Sequence, residues 1–250
     1  MSLCFRALPL LAALMVAGAP AAAQVDPRIT DAESLLRAMH HRYADTWYSN
    51  LTFTQTTTRV LPNDSTTVEI WREWSAIPGR LRIEMGPPEQ GRTVIFNRDS
   101  TFVLNQGRVV QRVDRWNDLM PLGFDVYKQP VERTLDQLRR GGFDLSRFHV
   151  DSIGGVPVYV VGAERGDSLS KQFAIEAERL LFIRLVDPIP NQAGKTQHVW
   201  FRRYERLGGG WIAPEVEVLV DGRRVFHEIY ADIRIGEPLD DALFNPDAAP

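Results

Sequence analysis

Hydrophobic side chains recur with two different periods along this chain, and the first period predicts a helix. Four large apolar residues follow one another at intervals of four: Leu35, Met39, Tyr43 and Trp47. That spacing places them on one face of a helix. Just before them, Thr30-Asp-Ala-Glu33 matches a capping box, whose side chains satisfy free backbone N–H groups at a helix start. We therefore expect a helix that begins there and ends near Tyr48.

From Leu51 onward the apolar period changes to two, which is typical of β-strands with one buried and one solvated face. One alternating series runs from Leu51 to Val113 and a second from Val156 to Ile235. Turn-forming residues, among them Asp221-Gly222, separate the segments. In the last segment every second residue is expected on one apolar face: Val225, His227, Ile229, Ala231, Ile233 and Ile235.

A second helix is expected between the two series. Val131, Leu135 and Leu138 have helical spacing after Pro130, and Gly141 would end the helix. The pattern as a whole predicts an α+β fold that is mainly β, with about eleven antiparallel strands in one sheet. No linker rich in Pro, Gly or Ser divides the chain, so residues 24–250 are expected to form a single domain.

Residues 1–23 are predicted to be a cleaved signal peptide. Arg6 gives a positive start, an apolar stretch runs from Ala7 to Ala19, and Ala21-Ala22-Ala23 fits a signal peptidase site. The apolar stretch is shorter than the roughly 18 residues that suggest a membrane-spanning helix. The mature protein is therefore expected to be exported and to begin at Gln24.

Composition narrows the class of function. Hydrophobic residues make up 44% of the chain and charged residues 24%, which suits a packed core. The formal net charge is −3, and no dense basic stripe of a nucleic-acid binder is present. The one cysteine, Cys4, lies in the predicted signal, so the mature chain can form neither a disulfide nor a cysteine zinc site. We expect no cofactor, no metal and no nucleic-acid partner.

Several short motifs follow one another in a familiar order. The first is Leu51-Thr-Phe53-Thr-Gln55, and the second runs from Glu73-Trp74 through Pro78-Gly79 to Glu84. Further along come Gly91 to Asn97 with Phe102 to Asn105, and finally Tyr230 through Leu243-Phe244. Together they resemble the strand, hairpins and closing phenylalanine anchor of the LolA-like superfamily of periplasmic lipoprotein carriers, whose relatives include the outer-membrane lipoprotein receptor LolB and the regulator RseB.

The resemblance implies a curved sheet, an open half-barrel, with helices over an apolar concave face that takes acyl chains. We expect nine apolar residues to form the ligand-binding cavity on that face: Ile70, Trp74, Leu81, Ile83, Met85, Phe102, Leu104, Phe173 and Ile175. The same residues would also suit a filled core, and the sequence leaves both interpretations open.

The hairpin before Pro78 departs from the family pattern. The resemblance implies an arginine immediately before this proline, where it would fasten the helical lid through backbone hydrogen bonds. Here Ala76 and Ile77 precede Pro78. The difference argues against a true lipoprotein shuttle and favours a broader lipid-binding or envelope-maintenance relative.

One motif suggests an enzyme. Gly166-Asp-Ser-Leu169 matches the opening motif of GDSL-type hydrolases, in which Ser168 would be the nucleophile. Such a serine needs a base and an oxyanion hole, yet no Asp-x-x-His follows, and Asp221 and His227 have a different spacing. Gly, Asp and Ser are also ordinary turn formers. We expect no catalytic residue.

The remaining polar residues have structural interpretations. His40 and His41 are adjacent and the other histidines are scattered, so no metal set is expected. His227 is expected on the apolar face of its strand, as a hydrogen-bonded core or cavity histidine rather than a metal ligand. Glu69 and Glu73 are expected on the outward face as solvated charges. A basic cluster in the last hairpins is expected to be mainly a solvated strand face, although it would also suit an anionic headgroup or a partner: Arg202, Arg203, Arg206, Arg223 and Arg224.

The sequence thus predicts an exported, monomeric, non-enzymatic carrier or chaperone in the periplasm. Its partners would be the acyl chains of a lipid or lipoprotein, with a membrane protein of the envelope as a further partner. One alternative is an RseB-like sensor that binds a regulatory protein. A GDSL-type hydrolase is the third interpretation.

Overall fold

A computed structural model describes residues 25–248, so the predicted signal peptide, residues 1–23, and Gln24 lie outside the described residues. The described part holds three α-helices: α1 Ala32–Tyr43, α2 Leu119–Gly123 and α3 Val131–Arg140. Short 3₁₀ turns lie at Pro88–Gln90, Asp125–Tyr127 and Asp241–Phe244. Within residues 25–248, no helix is long and apolar enough to cross a membrane.

Nearly half of the described residues lie in antiparallel strands. They are β1 Asn50–Val60, β2 Thr66–Ala76, β3 Arg80–Met85, β4 Arg92–Asn97, β5 Ser100–Asn105, β6 Arg108–Val113, β7 Phe148–Ile153, β8 Val156–Val161, β9 Gln172–Glu176, β10 Leu181–Pro188, β11 Thr196–Arg202, β12 Glu205–Leu207, β13 Gly210–Ile212, β14 Glu215–Val220 and β15 Arg223–Ile235.

Thirteen of these strands form one open sheet, in the order β6-β5-β4-β3-β2-β1-β15-β14-β11-β10-β9-β8-β7, and β12 and β13 form a separate hairpin. The expected mainly β fold with a single large antiparallel sheet is confirmed. The strand count exceeds the expected eleven because the sequence pattern missed β7, β13 and the break between β11 and β12.

Helix α1 starts one residue later than expected. Its cap is Asp31, whose carboxylate accepts the backbone N–H of Ser34 at 2.7 Å, while the hydroxyl of Ser34 accepts the N–H of Asp31 at 3.0 Å. The helix ends at Tyr43 rather than near Tyr48. Trp47 lies beyond the helix but is still buried, and its ring stacks on that of Tyr127 with centroids 3.9 Å apart.

The two faces of the sheet differ in what covers them. We call the face covered by the helices the inner face. On β1 it carries Leu51, Phe53, Gln55 and Thr57, all of them buried. The main core lies between this face and the helices, and many of its side chains are fully buried, among them Leu35, Leu36, Met39, Leu122, Phe173 and Phe182.

The opposite, outer face is partly covered by the end of the chain. The turn Asp241–Phe244 packs against β3 and β4. Phe244 is only 1% exposed, its backbone carbonyl accepts a hydrogen bond from the side chain of Asn97, and Arg80 stacks over its ring. Ile95, on the outer face of β4, is fully buried. The closing phenylalanine therefore anchors the C-terminal segment to the outer face.

A β-bulge in β15 changes which side chains face inward. The pairing with β1 shifts between Thr54, which lies opposite Ala231, and Thr52, which lies opposite Arg234. Asp232, in the bulge, has a φ of 53°. Before the bulge, Phe226, Glu228 and Tyr230 share the face of Arg59, Thr57 and Gln55, and after it Ile233 and Ile235 pack against the core. The expected single apolar face is therefore wrong at Val225, His227, Ile229 and Ala231.

Candidate functional site

A cavity of about 90 Å³ lies on the inner face, between the sheet and the segment around α2. Its apolar wall consists of Leu51, Phe53, Leu81, Ile83, Leu119, Met120, Phe124 and Phe201. Its polar lining consists of Glu73, Ser75, Asn117, Asp125, Glu228 and Tyr230. The volume is well below the roughly 300–1,000 Å³ of ordinary ligand pockets. In this state, then, side chains fill most of the inner face.

The segment that covers the cavity consists of α2 and the turn Asp125–Tyr127, and we call it the lid. It is fastened at Asp125, which is 1% exposed and whose Oδ1 accepts the backbone N–H of Gly79 at 3.0 Å. Gly79 belongs to the β2–β3 turn, next to Pro78. A carboxylate of the lid therefore makes the tie at the turn where the resemblance implied an arginine.

Glu73 is the most unusual group in the lining. It projects inward because β2 pairs it with Phe53 of β1, and it is only 6% exposed. Within residues 25–248 its carboxylate has no hydrogen-bond or ion-pair partner. Burial raises the pKa of Glu73 well above its usual value, and the nearby charge of Glu228 raises it further.

Glu228 has partners, but they are neutral. Its two carboxylate oxygens accept hydrogen bonds from the side-chain amide of Gln55 at 3.2 Å and from the hydroxyl of Tyr230 at 3.0 Å. Burial raises the pKa of Glu228 to about 7, although these hydrogen bonds and the charge of Arg59 oppose the rise. Burial also raises the pKa of Asp125, to about 6. Three acidic groups with raised pKa values thus line one small cavity.

Comparison with known proteins shows where this architecture occurs. No family model and no curated protein sequence matches the chain. Among solved structures, a LolA superfamily protein from Nitrosomonas europaea is similar at 11% identity and a TM-score of 0.53, with 84% of this chain and 97% of that chain covered.

A domain from Vibrio parahaemolyticus, described as an outer membrane lipoprotein-sorting protein, is similar at 11% identity and a TM-score of 0.56, over 85% of this chain and 95% of that one. The chain has the LolA-like fold. A DUF1329 family protein from Desulfovibrio piger is similar too, at 14% identity and a TM-score of 0.57, over 87% of this chain and 97% of that one. The resemblance inferred from the short motifs is therefore confirmed at the level of the fold.

The LolA-like sheet brings together only part of the expected ligand-binding set. Leu81 and Ile83 of β3 lie in the cavity wall. Met85 lies on the same inner face, opposite Trp71 of β2 and outside the cavity lining. Phe173 and Ile175 lie in the main core and are fully buried, and the ring of Phe143 packs edge-on against Phe173 at 5.4 Å. At Phe173 and Ile175 the filled-core interpretation holds.

Four of the expected cavity residues are on the wrong face. Ile70 and Trp74 lie opposite Thr56 and Thr52 of β1, which places them on the outer face, and Ile70 is 52% exposed. Phe102 and Leu104 also face outward, since β4 pairs them with Ile95 and Thr93. The expectation failed because apolar residues of β2 and β5 occupy the outer face, so hydrophobicity alone indicated the wrong side.

Because the inner and outer faces were assigned the wrong way round, the acidic groups of the cavity were not expected inside it. Glu73 was expected on the outward face as a solvated charge, and the structure corrects this because its phase on β2 is the inner one. Glu69 also lies on the inner face. Its carboxylate accepts a hydrogen bond from the indole N–H of Trp71 at 3.1 Å and forms an ion pair with Arg92 at 2.6 Å. Glu228 was missed because the bulge sets its direction. One feature of the sequence could have indicated that these acids point inward. It is the alternation Glu69-x-Trp71-x-Glu73, in which a large aromatic residue stands between two acids.

Ser168 lies in an exposed loop on the outer face. A depression there also includes His149, Asp151 and His198. Nδ1 of His149 lies 3.2 Å from the backbone carbonyl of Ala163, and Nε2 of His198 lies 3.2 Å from the hydroxyl of Thr196. Within residues 25–248 neither ring is hydrogen-bonded to Ser168, so the arrangement lacks the serine–base contact that nucleophilic catalysis requires.

His227 and three of the five arginines of the basic cluster belong to an ion-pair network on the outer face, around Glu215 and Glu217. The side-chain atoms of Glu215, Glu217 and His227 that could bind a metal ion lie within 4.8 Å of one another. Nε2 of His227 is 2.9 Å from Glu215, which corrects the expectation of a core or cavity histidine. The arginines mostly pair with acids or stack: Arg202 and Arg224 with Glu217, Arg203 with Glu215, Arg223 with Asp64, and Arg206 over Trp211. Because the two carboxylates are already neutralised by arginine, we assign this group a structural role.

Proposed function

We propose that this protein is an exported, non-enzymatic carrier or chaperone that binds the acyl chains of a lipid or lipoprotein. The observation that supports the proposal is the cavity between the inner face and the lid, whose wall is largely apolar. Each buried CH₂ group contributes about 0.8 kcal/mol to binding. A chain of several such groups would therefore be held without any catalytic side chain.

The size of the cavity requires the lid to move. About 90 Å³ is too little for a long chain. Helix α2 is only five residues long, and the ring of Phe124 at its end packs edge-on against Phe201 with centroids 6.2 Å apart. A ligand that displaced α2 would contact the inner face at Leu81 and Ile83, while the tie between Asp125 and Gly79 would act as the hinge side of the lid.

The test is displacement of a fluorescent fatty acid from the purified protein. Leu81→Ala is expected to weaken binding by at most about 1–3 kcal/mol, because apolar contact with the ligand is lost. Ile70→Ala is the matched control, since Ile70 is an apolar residue on the outer face. Circular dichroism would show that both variants are folded. Absence of binding by the parent protein, or equal binding by both variants, would contradict the proposal.

Export and the lack of catalysis are tested separately. The exported protein is expected to begin at Gln24, which N-terminal sequencing would check; a start at Met1 would contradict it. Ser168→Ala is expected to leave any esterase activity of the sample unchanged. A loss of about a hundredfold or more, the scale of general-base catalysis, would support a hydrolase instead.

A further inference from the structure

The carboxylate of Glu73 has no partner although it lies in the cavity and is only 6% exposed. A buried acid without a hydrogen-bond partner costs stability and usually loses its proton only with difficulty. Buried polar groups that no protein atom satisfies are completed by water, an ion or a ligand. The carboxylate of Glu73 is therefore free to accept hydrogen bonds from a group that enters the cavity.

The surroundings of Glu73 define which group would fit. Glu228 lies close enough for its charge to act on Glu73, and no lysine or arginine lines the cavity. The nearest cations are engaged elsewhere: Arg59 stacks over the ring of Trp71 at 4.8 Å, and Arg133 pairs with Asp99. The cavity thus offers several acidic hydrogen-bond acceptors and no cationic side chain in its own lining.

We propose that the cavity binds the ammonium group of a cationic amphiphile between Glu73 and Glu228, while the alkyl chain contacts the apolar wall. The inference rests on the proposed function and specifies its ligand. A primary ammonium group has three N–H donors, and charge-assisted hydrogen bonds to carboxylates are roughly twice as strong as neutral ones. A carboxylate or phosphate headgroup would be repelled by the same two acids.

A divalent metal ion fits this cavity less well than an ammonium group. Calcium takes six to eight oxygen ligands, and magnesium requires a near-ideal octahedron of them. Ser75, Asn117, Asp125 and Tyr230 offer oxygen atoms besides the two acids, but eight of the fourteen lining residues are apolar and offer no side-chain oxygen. An ammonium group with an alkyl chain uses both the acids and the apolar wall.

Binding of an ammonium group should depend on pH. The titratable groups that face the site are Glu73 from β2, Glu228 and Tyr230 from β15 and Asp125 from the lid, and Arg59 of β1 acts on Glu228. The ammonium group stays charged below about pH 10, whereas the acids must lose their protons to pair with it. Affinity is therefore expected to rise as the pH increases through about 7, the pKa of Glu228.

The experiment compares three ligands with the same chain, octylammonium, 1-octanol and octanoate, by isothermal titration calorimetry at pH 8. We expect octylammonium to bind at least about tenfold more tightly than octanol, and octanoate to bind most weakly. Glu73→Gln should remove the preference for octylammonium over octanol. The control is Glu84→Gln, because Glu84 is on the outer face of β3 and pairs with Arg82 at 3.0 Å.

The outcomes distinguish failure of the ammonium site from failure of the carrier function. If octanoate binds as tightly as octylammonium, or if the preference survives in Glu73→Gln, the ammonium site is wrong while the carrier function stands. If none of the three ligands binds, the carrier function fails together with the ammonium site. If calcium chloride displaces octylammonium from the parent protein at equal concentration, the site is a metal site and the ammonium inference is overturned.

Discussion

The backbone N–H of Gly79, in the β2–β3 turn, donates a hydrogen bond of 3.0 Å to Oδ1 of Asp125 in the lid. This bond joins two parts of the chain that are far apart in sequence, and Asp125, at its acceptor end, lines the cavity. Asp125 is almost completely buried, which raises its pKa to about 6 from 3.8. As the hydrogen-bond acceptor of Gly79, Asp125 stabilises the fold, whereas its buried negative charge destabilises it.

Replacement of Asp125 separates these two effects. Because the folded pKa is raised, the protonated acid is favoured in the folded state, and the associated stability is lost as the pH rises from about 4 through 6. Asp125→Asn keeps an acceptor for Gly79 without the charge. It is expected to raise the free energy of unfolding at pH 7.5 by up to about 3 kcal/mol, with no gain near pH 4.

Urea unfolding followed by tryptophan fluorescence at the two pH values measures this difference. Asp125→Ala is the comparison variant, since it leaves the N–H of Gly79 without its acceptor and is expected to cost about 1–3 kcal/mol. An asparagine variant less stable than the parent at pH 7.5 would show that the charge itself holds the lid.

The acidic pair in the cavity, Glu73 and Glu228, predicts a second pH dependence of the free energy of unfolding. The pKa of Glu228 is raised from 4.5 to about 7, so the stability that its protonated form provides is lost as the pH rises from about 4.5 through 7. The pKa of Glu73 is raised as well, so the contribution of its protonated form is also lost with rising pH. Glu73→Gln is expected to raise the free energy of unfolding at pH 8 by about 1–3 kcal/mol, because it removes a buried group that is costly to ionise.

The matched control is again Glu84→Gln, on the adjacent strand but on the outer face. Chemical unfolding at pH 4 and pH 8 should show the gain of Glu73→Gln at the higher pH alone. An equal gain at both values would mean that ionisation of Glu73 has no part in it.

The bulge at Asp232 is expected to tolerate glycine better than a β-branched residue. Its φ of 53° is unfavourable for most side chains, and its carboxylate accepts the hydroxyl of Thr54 at 3.0 Å. Asp232→Val should lower stability by about 1–3 kcal/mol through backbone strain. Asp232→Gly loses the hydrogen bond but gains conformational fit, so its stability should stay within about 1 kcal/mol of the parent. Thermal unfolding would measure both, and a valine variant as stable as the glycine variant would contradict the expectation.

The phenylalanine anchor predicts a large effect from a residue far from the cavity. Phe244 is buried on the outer face against β3 and β4, so Phe244→Ala is expected to lower the free energy of unfolding by about 3–5 kcal/mol. Val110→Ala, at a side chain 62% exposed, is the control. Urea unfolding measures both, and a loss below about 1 kcal/mol for Phe244→Ala would show that the C-terminal segment contributes little to the sheet.

The sequence by itself determined the kinds of element and their order. The four-residue spacing at Leu35 and Met39 produced helix α1, the Pro130 and Gly141 signals bounded α3, and Asp221-Gly222 forms the β14–β15 turn. These features depend on residues close together in the chain, so local propensity is enough to predict them. The motifs that resemble the LolA-like superfamily also led to the observed fold.

Only the tertiary structure decided which face of each strand is inward. On β2 the apolar Val68 and Ile70 are exposed, at 62% and 52%, while the acidic Glu73 is buried. On β15 the bulge at Asp232 turns Glu228 and Tyr230 inward, although the isoleucines after it suggested the opposite phase. A side chain's face depends on the register with strands distant in sequence, and one extra residue in a strand reverses it. The acidic lining of the cavity follows from that pairing, which alternation within a single strand does not encode.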